Sequence, residues 1–163
     1  VVYVPSEGED LFRRSLYTFW KRTSPPPNML TFDASERNVC IVKREATATP
    51  LQSLVLLNDP QFVEASRVLA ERMLSEVDDS PEEKITFAFR SLTSRTPRPE
   101  EMEVLKQTYE EQLAYYQEKP EEATKLLQIG EKEISYHKSP KQLAAYTMLA
   151  STIMNFEDTY LKY

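Results

Sequence analysis

The residue types that could do chemistry are few in this chain and far apart. Cys40 is the single cysteine and His137 the single histidine. Haem attachment needs Cys-x-x-Cys-His, so that two thioethers and an axial imidazole converge. Cys40 is followed by Ile41, Val42 and Lys43, so no c-type haem is attached within these residues. Zinc sites draw on several Cys or His ligands and this chain offers two such residues in all, so no metal site is expected. His137 sits in Ser135-Tyr136-His137-Lys138-Ser139 just ahead of a helix start. Without a partner at a diagnostic spacing it reads as an exposed loop residue rather than a base or ligand. Gly8 and Gly130 are the only glycines, which excludes the usual phosphate-cradling loops. The carboxylate pairs Glu82-Glu83, Glu100-Glu101 and Glu121-Glu122 fall in the first turn of a helix, where negative charge complements the dipole. Glu110-Glu111 falls on a polar helix face.

What remains is a basic, aromatic block, Arg13-Arg14-Ser15-Leu16-Tyr17-Thr18-Phe19-Trp20-Lys21-Arg22, followed by Pro25-Pro26-Pro27. Read as a helix from Leu11 to Lys21, it puts Phe12, Leu16, Phe19 and Trp20 on one face with Arg13, Arg14, Tyr17 and Lys21 at its borders. The structural account makes this a core stripe, with Arg13 and Arg14 bridging to the Asn58-Asp59 turn or to Asp33. The functional account makes Arg13, Arg14, Tyr17, Lys21, Arg22, Lys43 and Arg44 line a shallow groove floored by Trp20. Arginine pairs bidentately with carboxylates and sulfates, and aromatic faces stack on sugars and cations. Such a groove would dock another domain of the same polypeptide or an anionic glycan.

The elements that must position these residues are announced by proline. Thr49-Pro50-Leu51-Gln52, Ser80-Pro81-Glu82-Glu83 and Ser139-Pro140-Lys141-Gln142 each place a hydroxyl at the cap, proline at the first helical position and Glu or Gln two residues later. These are capping boxes. Asp59-Pro60, Arg98-Pro99 and Lys119-Pro120 repeat the pattern with weaker caps. Apolar stripes follow at helical spacing: Phe62, Ala65, Leu69, Met73 and Val77; Ile85, Ala88, Phe89 and Leu92; Met102, Leu105, Tyr109, Leu113 and Tyr116. Ala123, Leu126 and Leu127 end just before Gly130, read as a C′ glycine. The helix from Leu143 to Met154 is apolar over more than one stripe and is placed centrally, and Leu51 to Leu57 reads as a short helix buried on most sides. Thr23 to Ala48 is an irregular, proline-rich loop with an extended piece at Val39-Cys40-Ile41-Val42, and Val1-Val2-Tyr3-Val4 reads as a short strand.

A chain of 163 residues can bury a core. The net charge of −6 is uneven: residues 1–50 hold 7 basic and 6 acidic side chains, a balance of +1, and residues 51–163 hold 13 and 20, a balance of −7. An acidic body speaks against nucleic acid as a partner, and no apolar run approaches the roughly 18 residues of a membrane span. The chain starts at Val1 without an initiator Met or an apolar leader and reads as a piece of something longer.

Arg13 to Arg22, Pro25-Pro26-Pro27, Thr31-Phe32-Asp33, Arg37, Cys40, Arg44, Thr49-Pro50-Leu51-Gln52 and Leu54-Val55-Leu56-Leu57-Asn58-Asp59-Pro60 together resemble the C-terminal part of the planctomycete-type PSD family, domain of unknown function 1553. Weaker similarity continues through Ala88-Phe89-Arg90, Arg95-Thr96-Pro97 and Leu143-Ala144-Ala145. Ser35 stands where the family commonly has proline, and Ala48 where it commonly has asparagine. The resemblance implies a large exported bacterial protein, periplasmic or extracellular, with cytochrome-c-like modules. Haem is expected only in those modules and no cofactor in this stretch. The family offers no catalytic motif to carry over.

The reading is therefore an all-α irregular bundle of about six helices, one domain over 1–163, with a basic helix and loop at 1–49 and a helical body at 50–163. Its core would draw on Leu16, Phe19, Trp20, Leu54, Leu57, Phe62, Leu69, Phe89, Leu105, Leu126, Leu149 and Ile153. The expected function is a non-catalytic interaction or structural module. The alternative is the end of an enzyme completed by upstream residues and acting on anionic polysaccharide, with Arg13, Arg14, Asp33 or Arg37 orienting substrate.

Overall fold

The computed structural model describes residues 8–21, 23–35, 40–43, 46–77 and 80–161. Its α-helices are α1 (Pro27–Thr31), α2 (Pro50–Asn58), α3 (Pro60–Glu76), α4 (Pro81–Thr93), α5 (Pro99–Glu118), α6 (Pro120–Leu127), α7 (Pro140–Met154) and α8 (Glu157–Tyr160). Six of these have eight residues or more, and no strand occurs among the described residues. The fold is all-α, as expected; the segment Val1 to Val4 and Val39 lie outside the described residues.

All of the helices except α8 begin on proline, whose missing N–H would be an orphan at that position in any case. Thr49 and Gln52 form the reciprocal box ahead of α2: the Thr49 N–H donates to Gln52 Oε1 at 2.9 Å and the Gln52 N–H to Thr49 Oγ1 at 3.3 Å. Ser80 Oγ accepts from the Glu83 N–H at 3.1 Å, and Asp59 Oδ1 from the Gln61 N–H at 2.9 Å. At α5 the cap is inverted, with Glu101 accepting the Arg98 N–H at 2.7 Å. The expected box at Ser139 does not form. Its backbone, at φ −147° and ψ 92°, leaves the hydroxyl without a cap bond.

The contacts divide the chain into two compact units, residues 1–55 and 56–163. In the second, α7 is the axis, packing chiefly on α3 and α5 and also touching α4, α6 and α8. It buries residues all round its circumference, including Leu143, Ala144, Tyr146, Leu149, Ala150 and Ile153, because its small residues let neighbouring helices approach closely. Met73 of α3, Ile85 and Phe89 of α4, Leu105 of α5 and Ala123 of α6 are fully buried around it. Tyr109 stacks on Tyr146 with ring centroids 4.3 Å apart, joining α5 to α7. Burial raises the Tyr146 hydroxyl well above the usual tyrosine range.

Behind α7, Phe156 packs on Phe89 at 5.7 Å between ring centroids. Arg95 ties this end together: it donates to Glu101 at 2.8 and 2.7 Å and to Asp158 at 2.9 Å, and lies 4.7 Å from the Phe89 ring centre. The bidentate Arg95 fork holds the Glu101 carboxyl down at about 2.

The first unit departs from the sequence reading. Leu11 to Lys21 is not an α-helix; two 3-10 turns, Gly8–Phe12 and Ser15–Tyr17, occupy the region. Arg14 offers no side-chain cap to the second turn, and Tyr17, Thr18, Phe19 and Trp20 are poor helix formers. A helix this short holds only when packing buries its apolar face. Here Leu16 is 76% exposed and Phe19 81%. Both leave the expected core.

Helix α2 is likewise not buried on most sides. Gln52 and Leu56, four residues apart, are buried, while Leu51, Leu54 and Leu57, at spacings of three, are exposed. Leu54 and Leu57 therefore also leave the core, and Phe62, Leu126 and Trp20 are only partly buried. The predicted core members Leu69, Phe89, Leu105, Leu149 and Ile153 are buried.

Candidate functional site

The residues singled out by sequence fall into two groups. Arg13, Arg14, Tyr17 and Lys21 are exposed around the second 3-10 turn, and Lys43 is exposed in the loop before α2. Trp20 is partly buried. Arg22, Arg37 and Arg44 lie outside the described residues. Arg13 pairs with Asp10 at 2.6 Å, both side chains being more than half exposed; this replaces the expected bridge to Asp33 or to the Asn58-Asp59 turn. A pair this exposed contributes at most about 1 kcal/mol and leaves Arg13 accessible.

Apolar groups accompany these cations. Among the described residues, nine of the twelve strongly exposed large apolar side chains lie between Phe12 and Leu54: Phe12, Leu16, Tyr17, Phe19, Leu30, Ile41, Val42, Leu51 and Leu54. Scattered exposed apolar residues are ordinary; here they are concentrated in one stretch of the sequence.

Asp33 belongs to the second group and is structural. It sits at φ 57°, the left-handed region that Asp tolerates better than most residues. Its Oδ2 accepts from the Thr47 N–H and from Thr47 Oγ1, each at 2.8 Å. Gln52, 1% exposed, completes the knot: its Nε2 donates to the Thr31 carbonyl at 2.8 Å and to Thr47 Oγ1 at 3.2 Å. One buried amide thus ties both ends of the 31–47 loop to the first turn of α2. The capping role of Gln52 was readable from the Thr49-Pro50-Leu51-Gln52 box. Its grip on Thr31 and Thr47 was not, because those partners carry no local signature.

A further cluster escaped the sequence reading altogether. Glu64, Arg67 and Glu71 lie at i, i+3 and i+7 on α3, at 2%, 1% and 4% exposure. Arg67 bonds to Glu71 Oε1 at 3.1 Å and to the Lys132 carbonyl at 2.6 Å. Glu64 accepts the Glu131 N–H, and Glu71 accepts both the N–H and the hydroxyl of Ser135. Gly130 is the residue that permits this. Its φ is +98°, and a Cβ there would lie 2.1 Å from Glu64 Oε2. It is not the C′ residue of α6, which ends at Leu127 with Gln128 as its cap. Helical spacing of the three charges was the available signal.

Cys40 and His137 are both exposed, and among the described residues no three His, Cys, Asp or Glu side chains gather as a metal site. A shallow hollow of about 690 Å³ beside α4 is lined by Val77, Glu82, Thr86, Phe87, Arg90 and Ser94 among others. Of its two carboxylates, Glu82 and Glu83, the first is engaged by Lys106 at 2.6 Å. Among the described residues no helix is long and apolar enough to cross a membrane.

Compared with known proteins, residues 1–109 match the family PSD1, described as a protein of unknown function (DUF1553). The match runs from the first unit through α4 into α5. No curated protein and no solved structure matches the chain.

Proposed function

Because the chain belongs to PSD1, a family of unknown function (DUF1553), we propose a role from its surfaces: a non-catalytic interaction module. The cationic, aromatic stretch from Phe12 to Lys21 is its contact segment. The observation that carries this reading is the placement of Phe12, Leu16, Tyr17 and Phe19 in solvent beside Arg13, Arg14 and Lys21. Holding Phe12, Leu16 and Phe19 in water is unfavourable by up to roughly 1.5–3 kcal/mol each relative to full burial. A partner surface recovers part of that.

The partner we propose is another domain of the same polypeptide, an exported periplasmic or extracellular bacterial protein with cytochrome-c-like modules. Haem would reside in those modules. The cations add selectivity for an acidic partner surface, and an anionic glycan offers the same chemistry in a different setting. The engagement of Asp33 by Thr47 and Gln52 counts against a substrate-orienting role for that carboxylate, and with it against the enzyme-completing alternative.

The test is capture of the separately expressed remainder of the polypeptide by the immobilised chain, with a sulfated polysaccharide as a parallel arm. Leu16→Ser with Phe19→Ser lowers capture about tenfold or more while the helical circular dichroism signal is kept. Equal capture by variant and wild type overturns the reading.

A further inference from the structure

The link between α6 and α7, residues 128–139, has no regular secondary structure, yet it is fastened at three points by the buried row on α3. Glu64 holds the Glu131 N–H, Arg67 the Lys132 carbonyl, and Glu71 the Ser135 N–H and hydroxyl. The link's own apolar anchors are slight: Ile134 and Tyr136 are partly buried against the core, while residues 130–133, Ser135, His137 and Lys138 are exposed.

The geometry points to residues 129–138 as a strap that opens as a unit while the helices stay folded, with Glu64, Arg67 and Glu71 as its clasp. Two features favour a separate opening. First, the clasp is imperfect when closed: Glu64 Oε1 and Arg67 Nε are buried without a hydrogen-bond partner. Burial without a partner is costly for groups of this polarity, and opening returns both atoms to water, offsetting part of the loss of the clasp bonds. Second, the bundle does not rest on the strap, since α3 meets the core through Leu69, Ala70 and Met73. Segments with exposed backbone and few apolar contacts are those that open locally. Opening would present the charged row Glu64-Arg67-Glu71, which the closed strap buries.

Native-state hydrogen exchange of the whole chain, at fixed pH and graded low urea, tests this. The Glu131 and Ser135 amides exchange faster than those of Ala70 and Leu149, and with little dependence on urea, because a strap opening exposes little surface. Glu71→Gln weakens two clasp bonds and raises strap exchange about tenfold, leaving the Ala70 and Leu149 amides within about threefold of wild type. Gly130→Ala drives a Cβ into the Glu64 carboxylate and gives the same selective rise, which keeps the test open should Glu71→Gln fold poorly. Strap and core amides that share one rate and one urea dependence, or that respond equally to both substitutions, overturn the proposal.

Discussion

Asp33 and Thr47 are joined twice through a single oxygen: Asp33 Oδ2 accepts from the Thr47 N–H and from its hydroxyl, both at 2.8 Å. A left-handed residue thereby closes the loop between Asp33 and Thr47, and the buried Gln52 amide seals the closure from the α2 side. Within the proline-rich stretch, which the sequence reading takes as irregular throughout, α1 is the regular element among the described residues, and side chains fasten the segment that follows it.

Removing the carboxylate therefore loosens the loop locally. Asp33→Ala loses both bonds and places alanine at φ 57°, where a Cβ is disfavoured, so it weakens closure by about 2–3 kcal/mol. Asp33→Asn keeps one acceptor oxygen and the tolerated backbone, and costs less. Limited proteolysis followed by mass spectrometry reads the order as wild type, Asn, then Ala in increasing cleavage between residues 31 and 50. Equal cleavage of all three would remove Asp33 from this role.

The Arg95 clamp makes an acid-side prediction. Glu101 has a folded value of about 2 against an ordinary 4.5. Its stabilising share is therefore complete above pH 4.5 and is lost as pH falls from there towards 2. Arg95→Met removes the chief cause of that lowering and leaves the Arg98 N–H in place, so wild type exceeds the variant by about 1 kcal/mol near neutral pH, and this charge-linked difference shrinks towards pH 2. Urea unfolding at a series of pH values measures it; a gap that stays constant with pH would assign the clamp to packing alone.

Two leucines separate the real core from the apparent one. Leu149→Ala removes a fully buried side chain on α7 and costs about 2–5 kcal/mol. Leu54→Ala, at a side chain 57% exposed, costs about 0.5 kcal/mol or less. Thermal or urea unfolding of the two variants side by side decides it, and comparable losses would contradict the burial of one and the exposure of the other.

The helical body was readable because its signals are local. Proline at the first helical position, the Thr49–Gln52 and Ser80–Glu83 caps, and the stripes through Leu69, Phe89, Leu105 and Tyr116 each act within one or two turns of the chain. The block from Leu11 to Lys21 shows the limit of that logic. Its spacing is helical, but periodicity becomes a helix only when a surface buries the stripe, and Leu16 and Phe19 are not buried. Of the candidate site, Arg14, Tyr17 and Lys21 are exposed. Asp33 turned out to be a loop fastener because its partners Thr47 and Gln52 lie 14 and 19 residues away. The Glu64–Arg67–Glu71 row was harder still. Ser135 lies 64 residues from Glu71 and Glu131 67 from Glu64, and no local pattern announces such pairings.

We propose that the exposed side chains Leu16 and Phe19 serve contact and lie outside the core of the helical body. The most direct measurement is parallel: equilibrium unfolding of Leu16→Ser/Phe19→Ser, followed by α-helical circular dichroism, beside capture of the remainder of the polypeptide by the same protein. Unfolding is expected within about 0.5 kcal/mol of wild type and capture reduced about tenfold or more. A loss of several kcal/mol in stability, or capture that survives unchanged, would contradict it.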